Sequence, residues 1–237
     1  MDITLLSYNI HKGFDFLNRK FVLEGIRSFI RDTGADVVCL QEILGAHRKH
    51  GKHLPPHFAE SQFEYLAESI WRHHSYGRNA VYEEGHHGNC VLSKFPIVKS
   101  TNINLTLHER EQRGMLAVEI ELPQSKKLFL QTTHLNLLHL HRVQQLGVMK
   151  TYYQDLPVDA ITLLAGDFND WNSSLEIEKI LELRGAGRAK TFPSFYPLLP
   201  LDGVYYKNLE LLEFKVLKEP TLAQFSDHLP ILARLKI

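Results

Sequence analysis

Polar side chains interrupt the ends of several apolar segments of this chain, where a hydrophobic core would not select them. Placing an amide or a charged group beside a buried run costs several kcal/mol unless the group is paired. A set of such residues therefore suggests one shared pocket at the strand ends. The set comprises Asn9 after LLSY, Glu42 after VVCLQ, His134 after LFLQTT, Asp167 and Asn169 after ITLLAG, and Asp227 and His228 before PILARL.

Glu42, together with Asn9 and Asp227, offers hard oxygen ligands of the kind that Mg²⁺ binds. These groups are too few to enclose an ion, which suits Mg²⁺ because it keeps several water ligands and takes others from a phosphate. His134 and His228 have no cysteine partners and no HExxH spacing, which argues against structural zinc. The sequence therefore predicts a magnesium site beside a phosphate.

The remaining polar residues fit acid–base work on a phosphate ester. His228 can act as a general base if a carboxylate orients its other ring nitrogen, and Asp202 in PLDGVYY is a candidate for that partner. His134 and Asn169 can donate hydrogen bonds to a phosphoryl group that gains negative charge in the transition state. Metal-assisted hydrolysis of a phosphate ester is the reaction class that uses all of these residues.

The elements that must position these residues are short β-rich runs separated by turn signals, with helical patterns between them. Several strands follow one another between about residues 74 and 135 without a helical pattern, which demands antiparallel hairpins. We therefore expect one α/β domain over residues 1–237, a mixed-sheet sandwich with outer helices. The loops at 44–57 and 185–201 are the longest irregular segments. The predicted strands are ITLLSYNI, DVVCLQE, NCVLSK, MLAVEIEL, KLFLQTTHL, AITLLAGDF, DGVYYK and PILARLKI, and the helical patterns span residues 21–30, 63–70, 143–149 and 175–183.

The composition limits the function classes. The chain carries 27 Lys and Arg against 27 Asp and Glu, so it lacks the broad basic excess typical of proteins that bind long nucleic acids. Cys39 and Cys90 lie in short apolar runs, which favours a reduced, cytoplasmic protein over a disulfide framework. No basic leader precedes ITLLSYNI, and no apolar run approaches the roughly 18–20 residues that span a bilayer. We therefore expect neither secretion nor a transmembrane segment.

Nine motifs follow one another between residues 7 and 231: SYNIHKG, CLQEI, GNCVLSKFPI, QRGMLAVEI, TTHLN, HRVQQL, LAGDFND, LDGVYY and SDHLPI. In this order they resemble the endonuclease/exonuclease/phosphatase superfamily of Mg²⁺-dependent phosphoesterases. The segments NIHKGF, GHHGN and GDFNDW are most similar to a bacterial subgroup near the neutral sphingomyelinase branch. The resemblance implies a four-layer α/β sandwich in which two packed, mixed β-sheets lie between helices.

The resemblance also implies a metal side of the site. It makes Glu42 the principal ligand of Mg²⁺, for which Mn²⁺ is an expected substitute. Asn9 would support the metal ion or the phosphate, and Asp227 would support the metal-binding side of the site.

On the reacting side, the resemblance implies that Asp202 orients His228. His228 would take a proton from a water that Asp167 helps to position, while His134 and Asn169 stabilise the pentacoordinate phosphorus. Members of the superfamily differ on whether the residue matching Asp167 or the one matching His228 is the base, so this division of roles stays open.

Two further residues are candidates for substrate binding. Arg113, before GMLAVEI, can contact the phosphate, although a surface arginine at a strand start is comparably common. Asn89 matches a family position that shapes the pocket, and a tight turn before NCVLSK explains it equally well. His86 and His87 are expected at the mouth of the site, whereas the histidines within 47–57 are expected in a solvated loop.

The resemblance does not choose the substrate, because this superfamily includes nucleases, inositol phosphatases and sphingomyelinases on one catalytic site. The apolar loop at 195–201 and the neutral charge favour a phospholipid or another small phosphodiester. The alternative is a Mg²⁺-dependent endonuclease or exonuclease acting on DNA or RNA. A catalytically inactive phosphate-binding protein is a third alternative, which the presence of all the matched site residues disfavours. We expect a monomer.

Overall fold

The computed structural model describes residues 1–47, 61–67, 70–171 and 175–237, in which twelve strands and four α-helices are arranged along the chain. The strands are β1 (Asp2–Asn9), β2 (Val37–His47), β3 (His73–Tyr82), β4 (Gly85–Ser93), β5 (Ile97–Asn104), β6 (Gly114–Leu122), β7 (Lys126–His134), β8 (Ile161–Asp167), β9 (Arg184–Gly185), β10 (Asp202–Lys207), β11 (Glu210–Val216) and β12 (Ile231–Lys236). The helices are α1 (Leu23–Asp32), α2 (Gln62–Ala67), α3 (His139–Gln154) and α4 (Leu175–Leu181).

The strands form two mixed, six-stranded sheets. The first sheet has the order β11-β12-β1-β2-β4-β3, and the second has the order β5-β6-β7-β8-β10-β9. Each sheet contains one parallel pair, β1 with β2 and β7 with β8, and its other neighbours are antiparallel. A parallel pair requires a long crossover, and α1 and α3 provide these two crossovers.

Apolar residues lie in three layers, one between the sheets and one under the helices on each outer face. On β1, Leu5 packs between the sheets, whereas its neighbour Leu6 faces outward and packs in one cluster with Ile26 of α1. This alternation follows from the two-residue period of a strand. On the opposite face, Leu146 of α3 packs in one cluster with Leu164 of β8. The molecule is therefore a four-layer α/β sandwich, as the resemblance implied.

The strand register brings the polar strand ends to one edge of the sandwich. Asn9 ends β1 and lies beside β2, one residue before the level of Glu42. His134 and Asp167 are register partners at the ends of β7 and β8. Asp202, the first residue of β10, pairs with Asp167 from the other side. The predicted convergence of these residues thus follows from the topology of the sheets.

Each of the eight predicted strand runs overlaps a strand, and each of the four helical patterns overlaps one of the helices α1 to α4. The structure adds β3 and β5, which fall in the stretch where successive strands were expected, and the unpredicted β9 and β11. These strands were hard to recognise because β5 is a mostly exposed sheet edge with polar residues, β11 is interrupted by a bulge between Leu211 and Glu213, and β9 is two residues long.

Two predicted boundaries were wrong. Residues 44–47 continue β2 and are not part of a loop, while 48–57 fall outside the described residues. The helical pattern that included Leu183 stops at Leu181, because the backbone of Glu182 turns to φ 56°. The predicted irregular segment 185–201 is correct except for Gly185, which belongs to β9. No helix among the described residues is long and apolar enough to cross a membrane.

Candidate active site

Asp202 and His228 form a buried pair at the edge of the second sheet. His228 Nδ1 lies 2.8 Å from Asp202 Oδ2, and each residue is only 5% exposed. The turn before β12 is fixed by Ser226, whose Oγ accepts the backbone N–H of His228 at 3.2 Å and donates to the carbonyl of Asn9 at 2.7 Å. The contact with Asp202 fixes the His228 ring, and a catalytic role of this pair stays a prediction.

Asp167 lies at the centre of the constellation. Its Oδ2 is 3.5 Å from His228 Nε2 and 3.4 Å from His134 Nε2, and it accepts a hydrogen bond from Asn9 Nδ2 at 3.1 Å. Its Oδ1 accepts the backbone N–H of Asn169 at 3.0 Å. Asp167 is 1% exposed, so these contacts rather than water satisfy its carboxylate.

Asn169 turns at the end of β8 with a φ of 49°, which is uncommon for a residue other than glycine. Its Nδ2 donates to the carbonyl of Leu135 at 2.9 Å, so the amide joins the segment after β8 to the segment after β7. On that second segment, the side chain of Gln145 accepts the backbone N–H of Asn136 at 2.9 Å. Asn169 is thus held directly beside Asp167 and one residue from His134.

Glu42 lies on the opposite side of His134 from Asp167. A β-bulge between Leu40 and Ile43 and a φ of 57° at Glu42 re-aim its side chain. His134 Nδ1 is 3.7 Å from Glu42 Oε1, and Lys12 Nζ is 2.7 Å from Glu42 Oε2. Burial raises the pKa of Glu42, but the ammonium of Lys12, with a smaller contribution from His134, outweighs burial and holds this pKa well below its ordinary value. Glu42 is therefore a carboxylate that already faces a cation.

A divalent metal ion fits this side of the site. The ionised Glu42 presents an oxygen to the ammonium of Lys12, as it would to a metal ion. Asn9 and Asp227 add hard oxygen atoms, and Ser226 links them because its Oγ donates to the Asn9 carbonyl and lies 3.3 Å from Asp227 Oδ1. The donor set is one of oxygens without thiolates, which suits Mg²⁺ or Mn²⁺ better than a soft metal.

A second group of potential ligand atoms comes from Asp167, Asp202 and His228, which lie within 4.8 Å of one another. His228 uses Nδ1 toward Asp202 and Nε2 toward Asp167. Because both ring nitrogens already face carboxylates, this group is better suited to holding a proton than to holding a metal ion.

The two central histidines differ in charge. Burial lowers the pKa of His228, but the carboxylates of Asp202, Asp167 and Asp227 outweigh burial and raise this pKa to about 10. Burial and the charge of Arg113 lower the pKa of His134 to about 4, against the opposing effect of Asp167 and Glu42. At neutral pH the metal-free site therefore holds a protonated His228 and a neutral His134.

The two candidate substrate ligands differ in their surroundings. Arg113 pairs with Glu111 at 3.2 Å, and its charge lowers the pKa values of His134 and His87, so it lies within electrostatic reach of the centre. Asn89 is buried and its Nδ2 donates to the carbonyl of Gly114 at 2.9 Å. This contact braces β4 against β6 of the other sheet, and the proposed contact of Asn89 with substrate stays a prediction.

The sequence reasoning missed Lys12 and the role of Ser226. The signal for Lys12 was a basic residue three positions after Asn9 in SYNIHKG, but its contact with Glu42 depends on backbone angles that the motif does not reveal. His87, which was expected at the mouth, interacts electrostatically with Glu42. The neighbouring His86 instead hydrogen-bonds Tyr76 at 2.9 Å.

Exposed aromatic residues border the site on the Asp227 side. The ring of Phe192 lies 5.0 Å from that of His228, and the backbone N–H of Ser194 donates to the carbonyl of Asp227 at 2.7 Å. The loop that follows is thereby anchored beside Asp227 and His228. We call the exposed residues here the aromatic patch; they are Phe16, Leu17, Phe195, Tyr196 and Leu198.

A second exposed apolar group borders the site beside Asn169. Arg142 donates to the carbonyl of Leu137 at 2.6 Å and lies 5.4 Å from the ring of Trp171, which holds the segments after β7 and β8 together. We call this group the leucine patch; it comprises Leu137, Leu138, Leu140 and Trp171. Patches of this kind on soluble proteins mark surfaces that contact apolar ligands, proteins or membranes.

A polar cleft of about 300 Å³ extends from Arg113 along the edges of β3 and β5. Its walls carry amides, two guanidinium groups and the carboxylate of Glu109, and Asn102 donates a hydrogen bond to Asn79 at 3.1 Å within it. The cleft can therefore accept a polar or anionic part of a ligand. Residues lining it include Arg78, Asn79, Asn102, Asn104, Gln112 and Arg113.

The chain is similar in sequence to known proteins. A sequence model described as the Endonuclease/Exonuclease/phosphatase family matches residues 6–228. The uncharacterized protein YbhP of Escherichia coli strain K12 is 40% identical over 242 residues, which cover 98% of this chain and 96% of that protein.

Solved structures share the fold. A structure described as endonuclease/exonuclease/phosphatase from Beutenbergia cavernae DSM 12333 has a TM-score of 0.78 at 20% identity, covering 100% of this chain and 72% of the other. D. rerio TDP2 complexed with a single-strand DNA product has a TM-score of 0.73 at 17% identity, covering 100% of this chain and 99% of the other. These similarities do not separate the branches of the superfamily, so the relation to neutral sphingomyelinases stays a prediction.

Proposed function

Since the chain belongs to the endonuclease/exonuclease/phosphatase family, we propose that it is a divalent-metal-dependent phosphodiesterase that hydrolyses a phospholipid or another small diester. The observation that carries this proposal is the position of Asp167, whose carboxylate contacts Asn9, His134 and His228 at one buried point. Burying such a cluster costs free energy, and apolar residues in its place would stabilise the fold better. The cluster therefore points to a function rather than to stability.

The reaction that we propose is a single displacement in which water attacks phosphorus in line with the departing oxygen. Asp167 orients the water and accepts its proton, because its carboxylate lies between two imidazoles and His228 is already protonated in the metal-free site. If a bound cation lowers the pKa of His228, this residue becomes the base instead. Asp202 fixes the His228 ring in either case.

His134 and Asn169 act on the phosphoryl group. Neutral His134 donates a hydrogen bond to a phosphoryl oxygen as negative charge grows there, and Asn169 supports the same oxygen region from the end of β8. Arg113 adds positive charge within electrostatic reach of His134. Asn89 shapes the pocket wall between the sheets.

We assign the metal site to Glu42 as the direct ligand, with Asn9 and Asp227 completing it, and expect Mg²⁺ or Mn²⁺ there. When bound, the ion supplies positive charge that polarises the phosphate and stabilises the leaving oxygen. The neutral overall charge of the chain is compatible with this role, because a divalent ion supplies local charge that the chain as a whole lacks.

The two apolar patches favour an amphiphilic diester as substrate. The aromatic patch and the leucine patch flank the catalytic residues, so a substrate with hydrocarbon chains has apolar surface to contact on both sides of its phosphate. Trp, Tyr and Phe side chains also suit the interface between headgroups and acyl chains. We expect a monomer that acts in the reducing cytoplasm, where the buried free thiols of Cys39 and Cys90 persist.

A nuclease is the second candidate, and the cleft between Arg78 and Arg113 is the observation that favours it. A row of guanidinium and amide groups beside the centre suits the phosphates of a nucleic acid strand. The two candidates therefore make use of different surfaces around one catalytic centre.

One substrate panel separates the candidates. Sphingomyelin, glycerophospholipids, single-stranded DNA, duplex DNA and RNA are each incubated with the protein and Mg²⁺, and product release is measured. Hydrolysis of a lipid without cleavage of DNA or RNA supports the first proposal, whereas cleavage of nucleic acid alone establishes the second. Tight binding without hydrolysis across the panel would contradict both and favour an inactive phosphate-binding protein.

A further inference from the structure

Lys12 forms an ion pair with Glu42, the carboxylate to which the proposed function assigns the metal ion. Its Nζ lies 2.7 Å from Glu42 Oε2, and the two side chains are 34% and 17% exposed. This contact is a charge-assisted hydrogen bond at the rim of a buried site rather than a surface ion pair. The protein thus supplies its own cation to the group that is expected to bind one.

The backbone around Lys12 is held in an unusual conformation. His11 and Lys12 have φ values of 46° and 59°, and Gly13 follows at 78°, so three consecutive residues lie in the left-handed region. Residues other than glycine pay a conformational cost there and keep such angles only where the surroundings enforce them.

Specific contacts enforce the turn. Asn9 Oδ1 accepts the backbone N–H of His11 at 3.1 Å, and Gln62 Nε2 donates to the carbonyl of Lys12 at 2.8 Å. The backbone N–H of Gly13 also donates to the carbonyl of Ile10 at 2.8 Å. Asn9 itself holds Asp167, so the turn that carries Lys12 is built onto the catalytic centre.

The ammonium of Lys12 and a divalent ion cannot share one oxygen of Glu42, because their charges repel strongly at such a distance. A metal ion that binds Glu42 through Oε2 therefore displaces Lys12 from that oxygen. The fixed turn keeps the base of the side chain in place, while its flexible four-carbon stem lets the ammonium swing to the nearest anion. In a phosphodiesterase that anion is a non-bridging oxygen of the substrate.

We propose that Lys12 exchanges partners during the catalytic cycle, holding Glu42 in the metal-free protein and binding a phosphate oxygen of the substrate once the metal ion has taken Glu42. The inference rests on the proposed function, because it requires Glu42 to bind metal. It adds Lys12 as a substrate-binding residue that the sequence did not predict. Lys12 stays charged throughout, and only its partner changes.

The test measures metal binding and phosphate binding separately on the full-length protein. Isothermal titration with Mn²⁺, without substrate, compares wild type with Lys12→Met, Lys12→Arg and the control Lys20→Met, which changes an exposed lysine of the same loop. Removing the competing ammonium should tighten Mn²⁺ binding by about fivefold or more in Lys12→Met. Lys12→Arg and Lys20→Met should stay within about twofold of wild type, since the charge next to Glu42 is unchanged.

The second measurement titrates inorganic phosphate into each Mn²⁺-saturated protein. Lys12→Met should weaken phosphate binding by about tenfold, the size expected for one lost charge-assisted hydrogen bond, while Lys12→Arg keeps most of the affinity. Circular dichroism and thermal unfolding establish that Lys12→Met is folded, and Lys12→Gln serves as a second neutral variant.

The outcomes are distinguishable. The proposed exchange of partners by Lys12 is wrong if both neutral variants bind Mn²⁺ no more tightly than wild type does. It is also wrong if they bind phosphate as tightly as wild type does. If Glu42→Gln binds Mn²⁺ as tightly as wild type, or wild type binds none, the proposed metal site fails and the inference about Lys12 fails with it. Tighter Mn²⁺ and weaker phosphate binding in the neutral variants together establish it.

Discussion

His134 and Asp167 are register partners at the ends of the parallel strands β7 and β8, and His134 Nε2 lies 3.4 Å from Asp167 Oδ2. Parallel strands present their carboxyl ends at the same edge of a sheet, so this contact is set by strand pairing and not by a flexible loop. Asp202 joins the pair from β10 as the register partner of Asp167. The reacting groups are therefore held by the rigid part of the fold, which is what precise positioning requires.

Replacing Asp202 by Asn tests the orientation of His228. The amide keeps the shape of the carboxylate but removes the charge that supports the imidazolium, and it can favour the wrong ring tautomer. We expect kcat for a phosphodiester to fall by roughly 10²- to 10⁴-fold, with a small change in KM. Steady-state kinetics measure this, and a kcat within threefold of wild type would remove Asp202 from the mechanism.

Stability of the metal-free protein should decline above neutral pH because of His228. The pKa of His228 in the folded protein is raised to about 10, as its carboxylate neighbours outweigh burial, and it returns to about 6.5 on unfolding. A raised pKa contributes full stability below pH 6.5, and that contribution is lost as the pH rises toward 10.

Thermal unfolding in EDTA between pH 6.5 and 9.5 checks this expectation. Wild type should lose at least about 5 °C more over this range than His228→Gln, which has no proton to release. Parallel curves for the two proteins would contradict the pairing of His228 with Asp202 and Asp167.

Acid should lower the stability of the metal-free protein because of His134. Burial and Arg113 lower the pKa of His134 to about 4, so the folded protein binds this proton less readily than the unfolded chain does. Stability is therefore lost as the pH falls from 6.5 toward 4. The acid limb of the unfolding curve should be shallower in His134→Gln, and an unchanged limb would show that His134 is already charged near neutrality.

The side chain of Ser226 ties the His228 turn to the end of β1. Its Oγ donates to the carbonyl of Asn9 and accepts the backbone N–H of His228. Because Ser226 is fully buried, Ser226→Ala leaves both partners without a hydrogen bond and should lower the free energy of unfolding by about 1–3 kcal/mol. It should also reduce kcat through the displaced ring. Denaturant unfolding and kinetics measure the two effects, and no change in either would contradict this bracing role.

The apolar patches should matter for lipid substrates only. Phe195→Ser with Tyr196→Ser removes exposed aromatic surface at the mouth, while Val158→Ser removes a comparably exposed side chain from the turn before β8. We expect the double variant to lose at least about tenfold in activity on phospholipid vesicles and to retain activity on bis(p-nitrophenyl) phosphate. Equal losses on both substrates would show that the patch supports the fold or the catalytic centre instead.

The polar residues at the strand ends could be predicted from the sequence, because each of them interrupts an apolar run. Asp167 after ITLLAG and His134 after LFLQTT could be placed at one edge once the α/β pattern was recognised. The pairing of Asp202 with His228 followed from the resemblance, and the structure brings these side chains to 2.8 Å.

Other parts of the site could not be predicted, because they depend on backbone turns. Lys12 reaches Glu42 through a turn of three consecutive residues with positive φ, His11 to Gly13, and the side chain of Glu42 is itself aimed by a bulge. Lys12 and Glu42 are not glycines, so their residue types do not signal the positive φ that each adopts. The edge strand β11 was missed for a related reason, since a bulge between Leu211 and Glu213 shifts the alternation of apolar residues that identifies a strand.

The central claim is that Glu42 binds the metal ion and His228 belongs to the reacting group of one phosphodiesterase centre. The most direct measurement is hydrolysis of bis(p-nitrophenyl) phosphate with Mg²⁺ by wild type, Glu42→Gln and His228→Gln, each with and without EDTA. We expect wild-type activity that EDTA abolishes, and a loss of at least about 10²-fold in each variant. Wild-type activity that persists in EDTA, or variants that hydrolyse the substrate as fast as wild type, would contradict the claim.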